Sequence, residues 1–278
     1  MPELPTYTAT RYLQPLREGG SLPAVVDTDG GGLFVVKFRG AGQGAKALIA
    51  ELIVGMLARV LQLPMPNLAL IEVPVPFGRS EPDPEIQDVL RASHGINVGL
   101  RYLDGAFNYD NSAAGELVAA DFATRLVWFD AFVTNPDRTH RNPNVLIWER
   151  RPWLIDHGAA LYAHHDWGSV DDARIHTAFP RIREHVLLER SASLEAIDAS
   201  LAAALSDERI TDVLAKVPDA LLLDATRGQE FASADEARAR YWDYLTRRRT
   251  GPRTFVQEAV RARVHLRDAP LHRLSARR

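Results

Sequence analysis

The apolar residues of this 278-residue chain change their spacing near residue 103, and that change limits the folds open to it. Before it, β-branched and aromatic residues gather in short runs at 22–28 (LPAVVDT) and 33–38 (LFVVKF). These are joined by Asp29-Gly30-Gly31-Gly32, a hairpin turn signal. Further strands are expected at 68–75 (LALIEVPV) and 96–103 (INVGLRYL). Between them lies a Pro- and charge-rich loop with a short helix near 86–92. One segment of this half is different. Residues 45–61 (AKALIAELIVGMLARVL) are apolar at helical spacing, follow a glycine-rich turn at 40–44 and stop before Pro64 and Pro66.

Beyond residue 113 helices dominate. A strongly apolar helix over 115–133 ends at Thr134-Asn135-Pro136. A hairpin (144–148 and 153–156) turns through Glu149-Arg150-Arg151-Pro152, and helices are expected at 181–190, 193–206, 207–222, 234–248 and 254–266. A strand-rich half of about 1–100 joined to a helix-rich half of about 101–278 is an α+β, two-lobed plan. The absence of an internal repeat excludes solenoids and propellers.

Composition removes several function classes. With no cysteine, thiol catalysis and zinc–thiolate sites are out, and nothing suggests an oxidising compartment. No apolar run reaches the roughly 18 to 20 residues of a membrane span, and the first residues lack the apolar stretch of a secretory signal, so a cytoplasmic location is expected. Charge is unevenly spread: residues 247–278 hold ten arginines against Glu258 and Asp268, while 1–246 carry an excess of acids. Such a tail either packs back on the acidic body, the favoured expectation, or contacts nucleic acid or a partner.

Lysine is scarce, with only Lys37, Lys46 and Lys216 present. Lys37 sits inside an apolar strand run, where its ammonium must reach water or meet a counter-charge. Glu51, on an otherwise apolar helix face 14 residues later, is the candidate partner. A strand lysine held by a helix glutamate is the arrangement with which kinases grip nucleotide phosphates. An exposed lysine and an unrelated helix glutamate are the alternative.

A second cluster is Asn135-Pro136-Asp137-Arg138-Thr139-His140-Arg141-Asn142-Pro143-Asn144. The five-residue step from Asp137 to Asn142 matches the D-x-x-x-x-N of kinase catalytic loops, though a polar helix-to-strand loop would use the same residue types. If the following hairpin turns about residues 150 and 151, residue 145 faces 156. Asn142, Asn144 and Asp156 then share its open end, a hard-oxygen setting suited to Mg²⁺. Asp156, followed by His157-Gly158, takes the place of the D-F-G aspartate.

The stretches GGSLPAVV (19–26), LFVVKFRGAGQGAKALIAELIVGMLARVLQLPMP (33–66) and FDAFVTNPDRTHRNPNVLIW…PWLIDHG (129–158) resemble the HipA-like kinases, particularly short forms limited to the kinase core. The resemblance covers about 10–165. It implies a two-lobed protein-kinase-like fold, with an N-lobe over 1–100 and a helical C-lobe over 101–278. It also implies ATP and Mg²⁺ as cofactors, and γ-phosphoryl transfer to a hydroxyl of a protein Ser or Thr. By that likeness Lys37 contacts phosphate, Glu51 anchors Lys37, Asp137 is catalytic, and Asn142 with Asp156 holds Mg²⁺, Asn144 competing with Asn142. Gly19, Gly20 and Ser21 would form the phosphate-covering loop, and Arg101, Tyr102 and Leu103 the hinge that meets adenine. Full-length HipA toxins carry an extra N-terminal subdomain for which this chain has no room, so a HipB-like antitoxin partner is not carried over.

Two further enzyme and non-enzyme readings stay open: phosphorylation of a small molecule, and a nucleotide-binding pseudokinase scaffold acting through the Arg-rich tail. Other motifs score lower. The 40–44 turn lacks the Gly-Lys-Ser/Thr of a P-loop, His164-His165-Asp166 cannot all face one ion, and neither G-x-S-x-G nor H-E-x-x-H occurs.

Overall fold

The computed structural model describes residues 3–16, 22–30, 32–42, 44–79, 81–225 and 230–268. Gly19, Gly20 and Ser21, expected as a phosphate-covering loop, lie outside the described residues, as do 269–278 of the Arg-rich tail.

The strand-rich half closes into a five-stranded barrel. Its strands are β1 (Thr6–Pro15), β2 (Ala24–Thr28), β3 (Gly32–Lys37), β4 (Leu68–Val73) and β5 (Gly95–Arg101), in the order β1-β2-β3-β5-β4. All ladders are antiparallel except the closing one, where Thr6–Thr8 of β1 runs parallel to Leu70–Glu72 of β4. The strand period of two sorts the side chains. Ala24, Val26, Phe34, Val36, Ala69, Ile71 and Val73 fill the interior, and Val35 and Lys37 fall on the outer face. Gly99 sits in that interior because a Cβ there would meet Ile71 Cγ1 at 2.7 Å. Helix α2 (Pro84–Ala92) plugs one end with Ile86 and Leu90, its first turn capped by the Asp83 carboxylate.

Closure of the barrel was not legible beforehand, because β1 was not expected at all. Its sequence, TYTATRYLQP, buries only Ala9 and shows no apolar alternation. Pairing on both sides holds it in place, with Tyr7 and Tyr12 partly buried against the barrel core.

Helix α1 (Ala45–Val60) packs between the barrel and the helical half. It is apolar around its whole circumference, as a helix buried on all sides must be. One side meets Leu68, Val98 and Leu100 of the barrel's outer face, and the other meets the helical half in one continuous core. That half contains α3 (Asn111–Ala114), α4 (Ala120–Phe132) and α5 (Asp172–Ile175), followed by α6 (Leu194–Ala204), α7 (Asp207–Leu214), α8 (Asp219–Ala225), α9 (Ala234–Thr250) and α10 (Thr254–Asp268). Ser193, Ser206 and Ser233 cap α6, α7 and α9 through their hydroxyls. A small sheet of β6 (Phe107–Asn108), β7 (Val145–Trp148) and β8 (Arg151–Leu154) lies against the cleft. No described helix is long and apolar enough to cross a membrane.

Three local expectations are corrected. The β7–β8 hairpin turns at Glu149-Arg150, both with positive φ (48° and 61°), so Val145 faces Leu154 instead of residue 156. The two registers differ by two residues, so each side chain keeps its face. The helix expected at 181–190 is a 3-10 turn (Pro180–Glu184) followed by irregular backbone. There the Val186 amide bonds Arg138 O, and Val186, Leu187 and Leu188 are buried in succession. The helix expected over 207–222 breaks into α7 and α8 at Pro218, which cannot continue an interior turn.

The described part of the Arg-rich tail docks on the body. Arg248 is buried, its guanidinium bonding the carbonyls of Phe132 (2.6 Å), Ile175 (2.6 Å), Thr177 (3.0 Å) and Ala131 (2.9 Å). Arg247 pairs with Asp172 and Asp243, Arg249 with Asp207, Arg253 with Asp198 and Arg261 with Glu258. Arg263 bonds the carbonyls of Ser191 and Ala192. Four carboxylates of the body, Asp172, Asp198, Asp207 and Asp243, take part in these pairs, so the described part of the tail packs back on the body.

Candidate active site

The site is built where β3, α1 and the β8 exit meet. Lys37 ends β3 on the barrel's outer face, and its Nζ lies 2.7 Å from Glu51 Oε2 on α1 and 2.5 Å from Asp156 Oδ1. Glu51 is fully buried, and the same oxygen accepts the His157 amide at 2.7 Å. One helix carboxylate therefore holds both the strand lysine and the backbone just after Asp156. Burial alone would lower the Lys37 pKa, but Glu51 and Asp156 outweigh it and hold it above the ordinary value. Burial likewise works against an ionised Asp156, yet the Lys37 ammonium keeps its carboxyl below the usual range.

Asp156 has φ 55° and Asn144 φ 47°, both left-handed. Asp and Asn tolerate this region better than most residues. The Ile155 amide bonds Asn144 O (3.1 Å), closing the hairpin mouth between these two turns. Asp137 follows α4 through an Asx turn in which its amide bonds Asn135 Oδ1 at 3.1 Å. Its Oδ2 accepts the side-chain amides of Asn142 (2.8 Å) and Asn144 (3.4 Å). Since both amide nitrogens point at Asp137, the Asn142 and Asn144 side-chain oxygens are turned elsewhere.

These groups line a cleft of about 1180 Å³ between the barrel and the helical half. Lys37, Asp137, Asn142, Asn144 and Asp156 supply polar groups to its lining, and Val35, Leu100, Leu146 and Ile155 supply apolar ones. Arg101, Tyr102 and Leu103 edge it; the Tyr102 amide is taken by Leu33 O (2.9 Å), while the Leu103 amide has no acceptor among the described residues. Gly42 and Gly44 also line it, with Gly44 (φ 65°) directing the chain into α1. The donor set suits a hard divalent cation: among the described lining residues the polar groups include carboxylates and side-chain amides, with no imidazole or thiol.

A buried network that sequence reasoning missed lies behind Asp137. Asp130 of α4 is fully buried and its carboxylate accepts Arg138 Nε (2.6 Å), His185 Nε2 (3.0 Å) and Asn135 Nδ2 (3.1 Å). Burial penalises its charge, but Arg138 and His185 more than compensate and its carboxyl stays well below the usual range. Burial pushes His185 down. The Leu187 amide bonds its Nδ1 (3.0 Å), so the proton sits on Nε2, facing Asp130. His157 is fully buried with its pKa pushed down to about 4, mainly by burial. A lone carboxylate inside the apolar run FDAFV was the available signal, the same one that singled out Glu51. His164, by contrast, is buried against the Tyr241 hydroxyl (2.9 Å) and holds no metal-ligand cluster among the described residues.

The solved structure of a Helicobacter pylori proinflammatory kinase, CtkA, is similar with a TM-score of 0.50 at 11% identity, covering 94% of this chain and 99% of that one. At that identity the likeness shows the fold, which is that of a kinase. Among curated protein sequences none matches this chain. The profile of the HipA-like kinases matches residues 10–248. With a match over most of its length, the chain belongs to the HipA-like kinase family.

Proposed function

We propose that this kinase transfers the γ-phosphoryl group of ATP to the hydroxyl of a protein Ser or Thr, with Mg²⁺ as its metal. The observation that carries this reading is that Lys37, Asp137 and Asp156 all line a single cleft, with Lys37 paired to Asp156 and to the buried Glu51. The Lys37 ammonium has three N–H bonds, of which Glu51 and Asp156 take two; the third is left for a phosphate oxygen. Held charged and immobile, it neutralises phosphate charge without reorganising during reaction. The Leu103 amide offers a donor to the adenine edge.

Asp137 acts on the acceptor. With Oδ2 fixed by Asn142 and Asn144, its Oδ1 is the oxygen free to orient the acceptor hydroxyl and receive its proton. The acceptor oxygen forms the new bond to the γ-phosphorus as the bond to the bridging oxygen of ADP breaks, and the electron pair leaves with ADP. Asp156 and the side-chain oxygen of Asn142, or of Asn144, are the groups that would hold Mg²⁺, which supplies neutralisation of phosphate charge.

The test is incubation with labelled ATP, Mg²⁺ and a protein extract, followed by mass identification of phosphoserine or phosphothreonine. Asp137→Asn and Asp156→Ala are expected to abolish transfer with the fold retained. No Mg²⁺-dependent transfer by the wild type, or full transfer by either variant, overturns the reading. Label appearing only in small molecules replaces the protein acceptor.

A further inference from the structure

Arg138 is fully buried, is not itself among the residues lining the cleft, and yet contacts the backbone of both loops that carry the site. Its Nε is anchored on Asp130 Oδ2 at 2.6 Å. One terminal nitrogen bonds the carbonyls of Asn144 and of Ile155, the latter at 3.3 Å. The other meets His157 Nδ1 at 3.3 Å. Arg138 is thus the chain neighbour of Asp137, and it grips the residues on both sides of Asp156 without touching Asp156. Asn144, whose carbonyl it holds, sends its side-chain amide to Asp137.

We propose that Arg138, anchored by Asp130, is a positioning residue that sets the separation between Asp137 and Asp156. The inference rests on the roles given to those two aspartates above. A planar guanidinium can span three acceptors at fixed angles while its charge is met by a carboxylate; an ammonium cannot. Asp130 is itself held by Asn135 and His185, and the Arg138 carbonyl accepts the Val186 amide at 3.1 Å. The anchor is therefore part of the rigid helical half, and the two loops are hung from it. Small displacements between them act on the step in which acceptor and phosphate must be aligned, and leave the distant adenine edge alone.

The experiment uses the full chain and the variants Arg138→Lys and Asp130→Asn. It measures kcat, KM for ATP, the Mg²⁺ concentration giving half-maximal rate, and the melting temperature. Arg138→Lys keeps a cation beside Asp130 but loses the fork. For either folded variant the expected result is a fall in kcat of about 100-fold with KM for ATP changed less than about threefold, the size associated with an ångström-scale misplacement. The half-maximal Mg²⁺ concentration is expected to rise with it, a change that a merely structural role would not produce. A folded variant with wild-type kcat and wild-type Mg²⁺ requirement overturns the proposal, and so does loss of the fold in both variants, which would make the pair a scaffold element. Inactivity of the wild type is a separate outcome that sinks the proposed function instead.

Discussion

Acid should destabilise this protein through His157 by an amount that can be worked out in advance. The imidazole is fully buried, Arg138 Nη2 donates to its Nδ1, and its Nε2 has no partner among the described residues. Burial is the main reason its pKa falls from 6.5 to about 4. The unfolded chain therefore takes up a proton near pH 6.5 that the folded chain refuses until about pH 4. The stability contributed by the neutral ring is complete above pH 6.5, falls as pH drops towards 4, and levels off below. Between pH 7.5 and 5.0 this one group should remove about 2 kcal/mol. The assay is urea unfolding at the two pH values for the wild type and His157→Gln, which keeps an acceptor for Arg138 but cannot titrate. His164 and His185 are also pushed down by burial and add losses of the same sign, but these are common to both proteins. The wild type should lose about 2 kcal/mol more than the variant over this interval. Equal losses, within about 0.5 kcal/mol, would refute the account of His157 as a buried neutral base.

The remaining expectations concern buried charge. Lys37→Met should abolish transfer and cost about 3–5 kcal/mol in urea unfolding, because the buried Glu51 carboxylate loses its ion-pair partner. Adding Glu51→Gln should recover more than half of that cost without restoring transfer, and an unchanged or additive loss would contradict the pairing. Arg248→Met should cost at least about 3 kcal/mol, since four backbone carbonyls lose their donor. A melting temperature within about 2 °C of wild type would show that the tail is not held this way.

The local part of this structure could be read from residue order. Strand and helix periods separate the two halves, and Pro64, Pro136 and Gly44 mark ends of elements because their backbone limits act within a few residues. Lys37 and Glu51 stood out for a related reason, since an ionised group in an apolar run must have a partner or a task, while Asp137 stood out by its five-residue step to Asn142. The hairpin placed Asn144 and Asp156 at one mouth even with its register misjudged, since the two registers share parity.

What tertiary structure decided is everything that depends on partners distant in the chain. β1 became a strand only because β2 and β4 offered it hydrogen bonds on two sides, and its own polar sequence carries no burial pattern to announce that. The run after Pro180 abandoned helix because its backbone found Thr139 and Arg138. The tail's arginines found carboxylates and carbonyls up to 117 residues away. Arg138 looked like one more loop arginine until the fold enclosed it between Asp130 and the two loops. Spacing along a chain reports which side chains a helix or strand aligns; which buried charges meet is settled by packing alone.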